Sequence, residues 1–301
     1  MTRPTPDHPS RPSSSPHPPA FAPGSGEAAA PSPVQDLGTV RSGAADLAYD
    51  ASGAGHPLVL LHAGVADRRM WDAQIPDFAA AFRVVRYDLR GYGESTLPPE
   101  PYAPHDDLLA LLDALGIDRA HILGISMGGT VALDFAILHP DRVSALVLCG
   151  ASPSGAPASQ EIRAGWNAVD ALLAANDIDA AIELELRMWV DGPFRTPDQI
   201  DPVVRERVRE MEILAFARGL FEPEPETLPL DPPAVERLHE VAAPTLVLVG
   251  DLDYPQKVEL ASNLAATIPD ARLVVLPDTA HLPNMEAPNL FNRTVLGFLE
   301  R

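Results

Sequence analysis

A serine between two glycines lies where a strand pattern gives way to a helix pattern. The segment Ala120–Pro140 contains the motif GISMG at residues 124–128. Apolar residues then recur at spacings of four and three, as a helix requires: Val131, Phe135 and Leu138. Gly-x-Ser-x-Gly at such a junction is typical of a nucleophile elbow, because only small residues fit beside so tight a turn. Ser126 is therefore the predicted nucleophile; the alternative is a turn in which this serine only caps the helix.

A serine hydroxyl is a weak nucleophile and needs a base that a third group holds in place. His281 is the candidate base, in a loop between the last predicted strand and the last predicted helix. Asp253 is the candidate acid, just past a late strand, and Asp251 is its rival. We favour Asp253, since it lies further into the loop and is freer to reach a histidine.

The other histidines and the one cysteine have structural explanations. His62 lies at a strand end two residues before Gly64 and is predicted to shape the loop that would hold an oxyanion. His105 and His239 adjoin acidic residues and are predicted to be solvated. Cys149 follows an apolar run, which predicts a buried and inert thiol.

Strand and helix patterns alternate on both sides of the serine. The predicted parallel strands are apolar runs that read as buried on both faces: 57–62, 83–88, 120–125, 143–150, 244–250 and 272–277. Between Ala151 and Val241 only helix patterns occur, including a longer helix that begins at Asp201-Pro202. The prediction is an α/β fold whose core spans 37–150 and 242–301, with a helical lid at 151–241. Such a lid covers the carboxyl edge of the sheet, where ligands bind.

Residues 1–36 differ in composition, being rich in proline and serine without any helical or strand period. Such a segment cannot bury enough apolar surface to offset the entropy of ordering, which predicts a disordered tail. It contains no continuous apolar stretch of the kind a signal peptide needs, so a cytoplasmic protein is predicted.

The charge of the chain limits its partners. With 22 basic and 42 acidic residues the net charge is −20. This argues against a nucleic-acid partner and against docking on anionic lipid. No stretch approaches the length of a membrane-spanning helix. The sequence does not predict an oligomeric state.

The chain resembles the α/β-hydrolase superfamily, in its esterase, lactonase and cofactor-free haloperoxidase-like branch. The resemblance rests on LLHAGVADRRMW, RYDLRGYGES, GISMGG and the pair formed by Gly250–Asp253 and His281–Pro288. It implies an α/β-hydrolase fold, a mostly parallel sheet with a lid between strands. The order Ser, Asp, His along the chain is the one this superfamily uses. It also implies an acyl-enzyme mechanism that needs no metal and no organic cofactor.

The resemblance further implies an oxyanion hole made by the backbone N–H groups of Gly64 and Met127. Many relatives have His-Gly-x after the first strand of this region, where this chain has His62-Ala63-Gly64. Aligning on Trp71 puts Gly64 in the donor position, and Val65 is the fallback donor. In the loop Asp88–Ser95, Arg90 is expected to be structural.

The lid carries aromatic and sulfur side chains, some of which we expect to line a pocket for a small, fairly apolar ester or lactone: Trp166, Met188, Trp189, Phe194, Met211, Phe216 and Phe221. For any single one, a place in the lid core is the commoner outcome. The candidate pocket residues are Val65, Trp166 and Trp189. An arginine of the lid would suit a substrate carboxylate, although such charges are usually solvated: Arg163, Arg187 and Arg195.

Three functions remain open at this point. The first is hydrolysis of a carboxylic ester or lactone. The second uses the same triad for perhydrolysis or for carbon–carbon bond hydrolysis. The third is a non-catalytic small-molecule binding protein on the same fold. Dehalogenases and epoxide hydrolases are disfavoured, because their nucleophile is an aspartate where this chain has Ser126.

Overall fold

The computed structural model describes residues 36–218 and 225–300. Residues 1–35 of the predicted tail, and Phe221 of the lid, lie outside the described residues. The described strands are β1 (Asp36–Ser42), β2 (Ala45–Ser52), β3 (Pro57–Leu61), β4 (Arg83–Tyr87), β5 (Ala120–Ile125), β6 (Val143–Cys149), β7 (Thr245–Gly250) and β8 (Ala271–Leu276). They form one sheet in the order β1-β2-β4-β3-β5-β6-β7-β8.

All strand pairs from β4 to β8 along this sheet are parallel, and only β1 with β2 and β2 with β4 are antiparallel. The predicted α/β-hydrolase fold with a mostly parallel sheet is thereby confirmed. The sequence predicted a single strand near residues 44–50 ahead of the parallel strands. The structure has a hairpin there instead, because Gly43 takes a φ of +55° and turns the chain.

The described helices are α1 (Ile75–Phe78), α2 (Pro104–Ala114), α3 (Met127–Leu138), α4 (Gln160–Ala174), α5 (Ile178–Leu186), α6 (Pro202–Ala217), α7 (Ala234–Arg237), α8 (Pro255–Thr267), α9 (Pro283–Glu286) and α10 (Pro288–Leu299). The sequence pattern predicts a helix from Ile75 to Phe82 and another from Ala180 to Val190, and in the structure both end earlier. The helix predicted to reach Phe82 ends at Phe78, after a 3-10 turn over Arg68–Trp71. The lid helix predicted to reach Val190 ends at Leu186 and continues as a π-helical turn over Arg187–Asp191.

The sheet separates two apolar cores. Alternate residues of β3 point to opposite faces, as the two-residue period of a strand requires. Leu58 and Leu60 pack in one core with Phe291 of α10, whereas Val59 and Leu61 pack in the other with α2 and α3. Because its central strands are buried on both faces, the sheet holds the loops at its carboxyl edge rigidly.

The lid contributes α4 to α7 between β6 and β7, and no strand occurs among the described residues of 151–241. Its longest helix, α6, begins as predicted. The Asp201 side chain accepts a hydrogen bond from the Val203 N–H, and Pro202 occupies the first helical position. Apolar lid residues such as Ile182 and Met211 join the core that contains Leu58. No described helix has the length and the apolar character needed to cross a membrane.

The turn from β5 to α3 depends on very close backbone packing. A Cβ added at Gly124 would lie 2.2 Å from the Gly128 carbonyl oxygen. One added at Gly128 would lie 2.4 Å from the Leu61 oxygen and 2.6 Å from the His62 oxygen. These obstacles are backbone atoms, so no side-chain movement would relieve them.

Two carboxyl groups of the lid are withdrawn from water. Glu212 on α6 is 3 % exposed, and Glu185 on α5 is largely buried. Burial raises the pKa of Glu185 to about 7, and an indole N–H of Trp189 opposes this rise. Burial, with the charge of Glu185, raises the pKa of Glu212 well above its ordinary value. In the folded protein both side chains therefore keep their proton to a higher pH than an exposed glutamate does.

Replacing Gly128 by alanine should destabilise the fold, because the new methyl group collides with two backbone carbonyls of the neighbouring strand end. We expect a loss of about 1–3 kcal/mol in the free energy of unfolding, measured by urea denaturation. Gly297→Ala is the matched control, since a Cβ there meets nothing within 4 Å. That substitution should leave stability unchanged or raise it by up to ~1 kcal/mol through helix propensity. Equal stability of the two variants would contradict this account of the elbow.

Glu185→Gln and Glu212→Gln should each gain stability over the wild type as the pH rises. A folded-state pKa above the unfolded value of 4.5 means that deprotonation favours the unfolded chain. Stability is therefore lost as the pH rises from about 4.5 towards 7, by ~1.4 kcal/mol per pH unit for each carboxyl that stays protonated. Thermal melts across this range, with the exposed Glu206→Gln as control, measure the slope. A pH-independent difference between variant and wild type would refute it.

Candidate active site

Ser126 lies between β5 and α3 in a strained conformation, with φ of +52° and ψ of −114°. A non-glycine residue rarely adopts a positive φ, and such strain concentrates at functional sites. Its N–H donates to the Cys149 carbonyl at 2.8 Å, and its own carbonyl accepts from the Thr130 N–H at 3.0 Å. The backbone is thus fixed on both sides, and the side chain faces a cavity.

His281 and Asp253 are brought together from the loops after β8 and β7. Nδ1 of His281 lies 2.7 Å from Oδ2 of Asp253, and both side chains are buried. The second carboxylate oxygen accepts the Tyr254 N–H at 2.7 Å. Asp251 is exposed and does not contact the histidine. A carboxylate on Nδ1 fixes a proton on that nitrogen and leaves Nε2 as an acceptor.

Nε2 of His281 is buried and has no hydrogen-bond partner among the residues of the two described ranges. It belongs to the same cavity wall as Ser126. No hydrogen bond joins the Ser126 hydroxyl to this nitrogen, a separation common in catalytic sites without substrate. The imidazole therefore presents a basic nitrogen to the cavity in which the serine lies.

Gly64 and Met127 lie on opposite sides of the same narrow space. A Cβ at Gly64 would stand 3.8 Å from the Met127 sulfur, so the two residues are neighbours. Met127 is the first residue of α3, and its N–H has no acceptor within that helix. Val65, the fallback donor, is buried beside them. A substrate oxygen in this space would meet backbone donors at a helix N-terminus.

His62 holds this loop in place as a fully buried imidazole. Its Nδ1 lies 2.8 Å from the Ala63 carbonyl, and its Nε2 accepts the Leu89 N–H at 2.9 Å. One nitrogen donates and the other accepts, which describes the neutral ring. Burial lowers its pKa, despite the opposing charge of Asp88. The ring joins the loop after β3 to the loop after β4, and so acts on the geometry of the site.

Two cavities meet at Ser126, the candidate nucleophile. The smaller, of about 210 Å³, contains Gly64, Val65, Trp166, Trp189 and His281. The larger, of about 530 Å³, extends towards α2 and the segment 225–229. Ser126, Met127, Tyr92, Trp166 and Lys257 line both. A substrate attached to the serine would therefore have one side in each cavity.

The three predicted pocket residues all line the smaller cavity. Trp189 is buried, and its ring centroid lies 4.6 Å from that of His281 at an angle of 41°. It also contacts the ring of Tyr254 at 5.5 Å. Trp166 is 44 % exposed, which places it at the cavity mouth. Two other aromatic or sulfur side chains of the lid behave as core residues, Met188 and Met211.

Around the smaller cavity, one aromatic and three charged residues were not predicted from the sequence: Tyr92, Glu185, Glu212 and Lys257. Lys257 is 8 % exposed, and its ammonium donates to the Ser152 hydroxyl at 2.9 Å. Burial lowers its pKa, partly opposed by Asp253. For Glu212 a signal existed, because it follows Val208 by four positions and so continues the apolar stripe of α6.

The three lid arginines that would suit a substrate carboxylate have partners within the protein. Arg187 pairs with Asp191 at 3.2 Å, Arg195 pairs with Glu286 at 2.5 Å, and Arg163 donates to the Ala158 carbonyl. None of the three lines either cavity. The expectation that such charges are usually solvated agrees with the exposure of the Arg187 side chain, which is 41%.

Two further expectations concern the loop after β4 and the start of α2. Arg90 forms a buried ion pair with Asp107 at 2.5 Å and also lines the larger cavity, so its structural role stays a prediction. His105 was expected to be solvated, and that was wrong. It is 9 % exposed and lines the larger cavity, because the first turn of α2 forms one wall of that cavity.

The pair between Arg195 and Glu286 also connects the lid to the histidine loop. Glu286 ends α9, directly after that loop, and its other oxygen accepts the Ala280 N–H at 2.9 Å. Arg195 in turn donates to the carbonyls of Val190 and Asp191 in the lid. Residue 280 adjoins His281, so one chain of contacts runs from the lid to the candidate base.

The whole region from the first parallel strand to the histidine loop matches a family model. The model describes the alpha/beta hydrolase fold and covers residues 56–288. These residues include each candidate catalytic side chain and the entire lid. The match thus extends over most of the chain.

Individual proteins are also similar over nearly the full chain. A 2-hydroxy-6-oxononadienedioate/2-hydroxy-6-oxononatrienedioate hydrolase of Burkholderia vietnamiensis is 31% identical, over 84% of this chain and 90% of that protein. A hydrolase from Pseudomonas aeruginosa PA01 is 34% identical, with a TM-score of 0.73 over 89% of this chain and 99% of that one. A thermophilic esterase from Thermogutta terrifontis is 30% identical, with a TM-score of 0.71 over 88% and 98%. With the family model, these likenesses identify the chain as a hydrolase that belongs to the α/β-hydrolase fold family.

Proposed function

We propose that this protein is a serine hydrolase that cleaves carboxylic esters or lactones through an acyl-enzyme. One observation carries the proposal. Nδ1 of His281 is 2.7 Å from the Asp253 carboxylate, while Nε2 is unpartnered in the described chain and belongs to the wall of the cavity that contains Ser126. The similarity to a protein named as an esterase supports the same substrate class.

In the first half-reaction the Ser126 oxygen attacks the ester carbonyl carbon and its proton moves to Nε2 of His281. The carbonyl oxygen becomes an oxyanion, which the N–H groups of Gly64 and Met127 stabilise. Asp253 stabilises the imidazolium without taking its proton. Collapse of the tetrahedral intermediate breaks the bond to the alcohol oxygen, and the imidazolium protonates that leaving group.

In the second half-reaction water repeats the attack on the acyl-enzyme. His281 accepts a proton from the water as its oxygen bonds to the acyl carbon. A second oxyanion forms in the same hole. When it collapses, the carboxylic acid leaves and the imidazolium returns its proton to Ser126, which restores the starting state.

The cavity walls support a small, mainly apolar substrate. Apolar and aromatic side chains predominate around the larger cavity, including Leu97, Val131, Leu228 and Tyr102. Such walls bind by excluding water, whereas a few polar groups set orientation. A lactone is a cyclic ester and suits this space as an open ester does. Opening its ring leaves the acyl and alcohol parts joined in one product.

Replacing Ser126 by alanine should abolish ester hydrolysis while leaving the thermal melt nearly unchanged, because only one hydroxyl oxygen is lost. The rate on p-nitrophenyl esters should fall by roughly 10⁴-fold or more, to the level that remains when a triad member is removed. A fluorophosphonate probe with peptide mapping should label the wild type at Ser126 and should not label the variant.

Each result of that experiment separates the candidate functions. Turnover retained by Ser126→Ala would identify a different nucleophile. No adduct on the wild type would mean that the triad is not assembled, which favours a non-catalytic binding protein. Where the adduct forms, parallel assays of ester and lactone cleavage, peracid formation and carbon–carbon bond hydrolysis determine the reaction.

Asp253→Asn should reduce kcat far more than Asp251→Asn. The first variant removes the carboxylate that orients the His281 ring, for which we expect a loss of roughly 10³–10⁴-fold. The second alters an exposed side chain that does not touch the ring, so kcat should stay within about twofold of the wild type. The two variants add the same amide two residues apart, so each controls for the other. A larger loss for Asp251→Asn would reassign the acid.

A further inference from the structure

The smaller cavity contains an acidic wall opposite the candidate nucleophile. Glu185 from α5 and Glu212 from α6 line it, together with Ser126 and His281. Two acids in so small an apolar space are costly unless a cation or a hydrogen-bond donor faces them. Within residues 36–218 and 225–300, neither acid has an ion-pair partner, and a hydrogen-bond donor from Trp189 faces Glu185 alone.

Glu212 is the less satisfied of the two. Its side chain is 3 % exposed, and no hydrogen bond or ion pair joins it to any residue between 36 and 218 or between 225 and 300. Glu185 receives the indole N–H of Trp189. The arginines nearby in sequence are engaged elsewhere, since Arg205 and Arg209 both pair with Glu183 on the far side of the same helix pair. A buried carboxyl that faces a cavity without a partner is an open acceptor site.

Aromatic rings complete the same compartment. Trp166 and Trp189 both line it. The face of a Trp ring attracts cations more strongly than the faces of Tyr and Phe rings do. A cationic nitrogen beside the two carboxyl groups favours their ionised form, and carboxylates combined with indole faces make a site for an ammonium group. Lys257 also lines the compartment, but its ammonium is held by Ser152 and forms no ion pair with either glutamate. It lies 5.8 Å from the Trp189 ring, so this indole already faces one cation.

We propose that Glu185, Glu212 and the two indoles form a subsite that binds a cationic nitrogen of the substrate, held beside the scissile ester bond. This inference rests on the proposed serine hydrolase function and names its substrate class: an ester with an ammonium group on the part that enters the smaller cavity. The net charge of −20 favours the approach of such a substrate over an anionic one.

Matched ester pairs test this directly. Acetylcholine and its neutral isostere 3,3-dimethylbutyl acetate, which has tert-butyl in place of trimethylammonium, differ only in the charge on the alcohol side. The p-nitrophenyl esters of an acid that ends in trimethylammonium, and of its tert-butyl isostere, differ on the acyl side. A quaternary nitrogen keeps its charge at every pH, so the assay at about pH 8 compares charge alone.

The wild type should prefer the cationic member of at least one pair by about tenfold in kcat/KM, the effect expected of one cation on aromatic and acidic partners. In Glu212→Gln and Glu185→Gln this ratio should fall several-fold, because each variant keeps one acid and both indoles, while the neutral ester is still cleaved. Glu206→Gln, an exposed position on α6 outside both cavities, should keep the wild-type ratio. Fluorophosphonate labelling of each variant verifies that its site is assembled.

Each failure has its own signature. A wild-type ratio near one in both pairs, with the neutral esters cleaved, overturns the ammonium subsite and leaves the hydrolase function intact. A cationic-to-neutral ratio that keeps its wild-type value in both glutamine variants also overturns it, because the cation would then be bound elsewhere. Absence of labelling and of turnover on every ester removes the proposed function, and the subsite proposal with it.

Discussion

The site depends on one steric constraint, the approach of α3 to the ends of β3 and β5. The carbonyl oxygens of Leu61 and His62 stand 2.4 Å and 2.6 Å from where a side chain at Gly128 would begin. This contact leaves the chain no room to relax, and Ser126 is held at φ +52° as a result. The same closeness brings the first N–H of α3 to the loop of Gly64. The candidate nucleophile and the candidate oxyanion donors are thus positioned by one packing contact.

A second level of organisation lies in how the charges are distributed. Arginines of the lid are taken up by acids that play no part at the cavities, such as Glu183 and Asp191. The two acids that reach the smaller cavity are left without cationic partners among the described residues. Glu185 and Glu212 therefore place two carboxyl groups beside the candidate base, each either ionised without a cationic partner or neutralised by its own proton. That is a cost to the free protein, and in the proposed reaction substrate would relieve it.

The elbow and the sheet were predictable from the sequence because their signals are local. A glycine pattern between an apolar strand and a helical stripe predicts one backbone turn, and alternating patterns predict parallel strands. The contact of Asp253 with His281 needed the three-dimensional loops, since two aspartates two residues apart have the same local signal. Glu185, Glu212 and Lys257 were missed because a charged residue on a helix usually faces water. The burial of His105 was not predicted because the cavity wall to which it belongs is formed by segments far apart in sequence.

The ion pair of Arg195 with Glu286 joins the predicted lid to the loop that contains the candidate base. Glu286 also holds the Ala280 N–H, one residue before His281. A lid that swung away as a rigid body would have to break this pair and would release the loop that orients the imidazole. Movement of the lid away from the site would then also release the imidazole of His281 from its position. Such an enzyme would hold its base in position only while its substrate is shielded from bulk water.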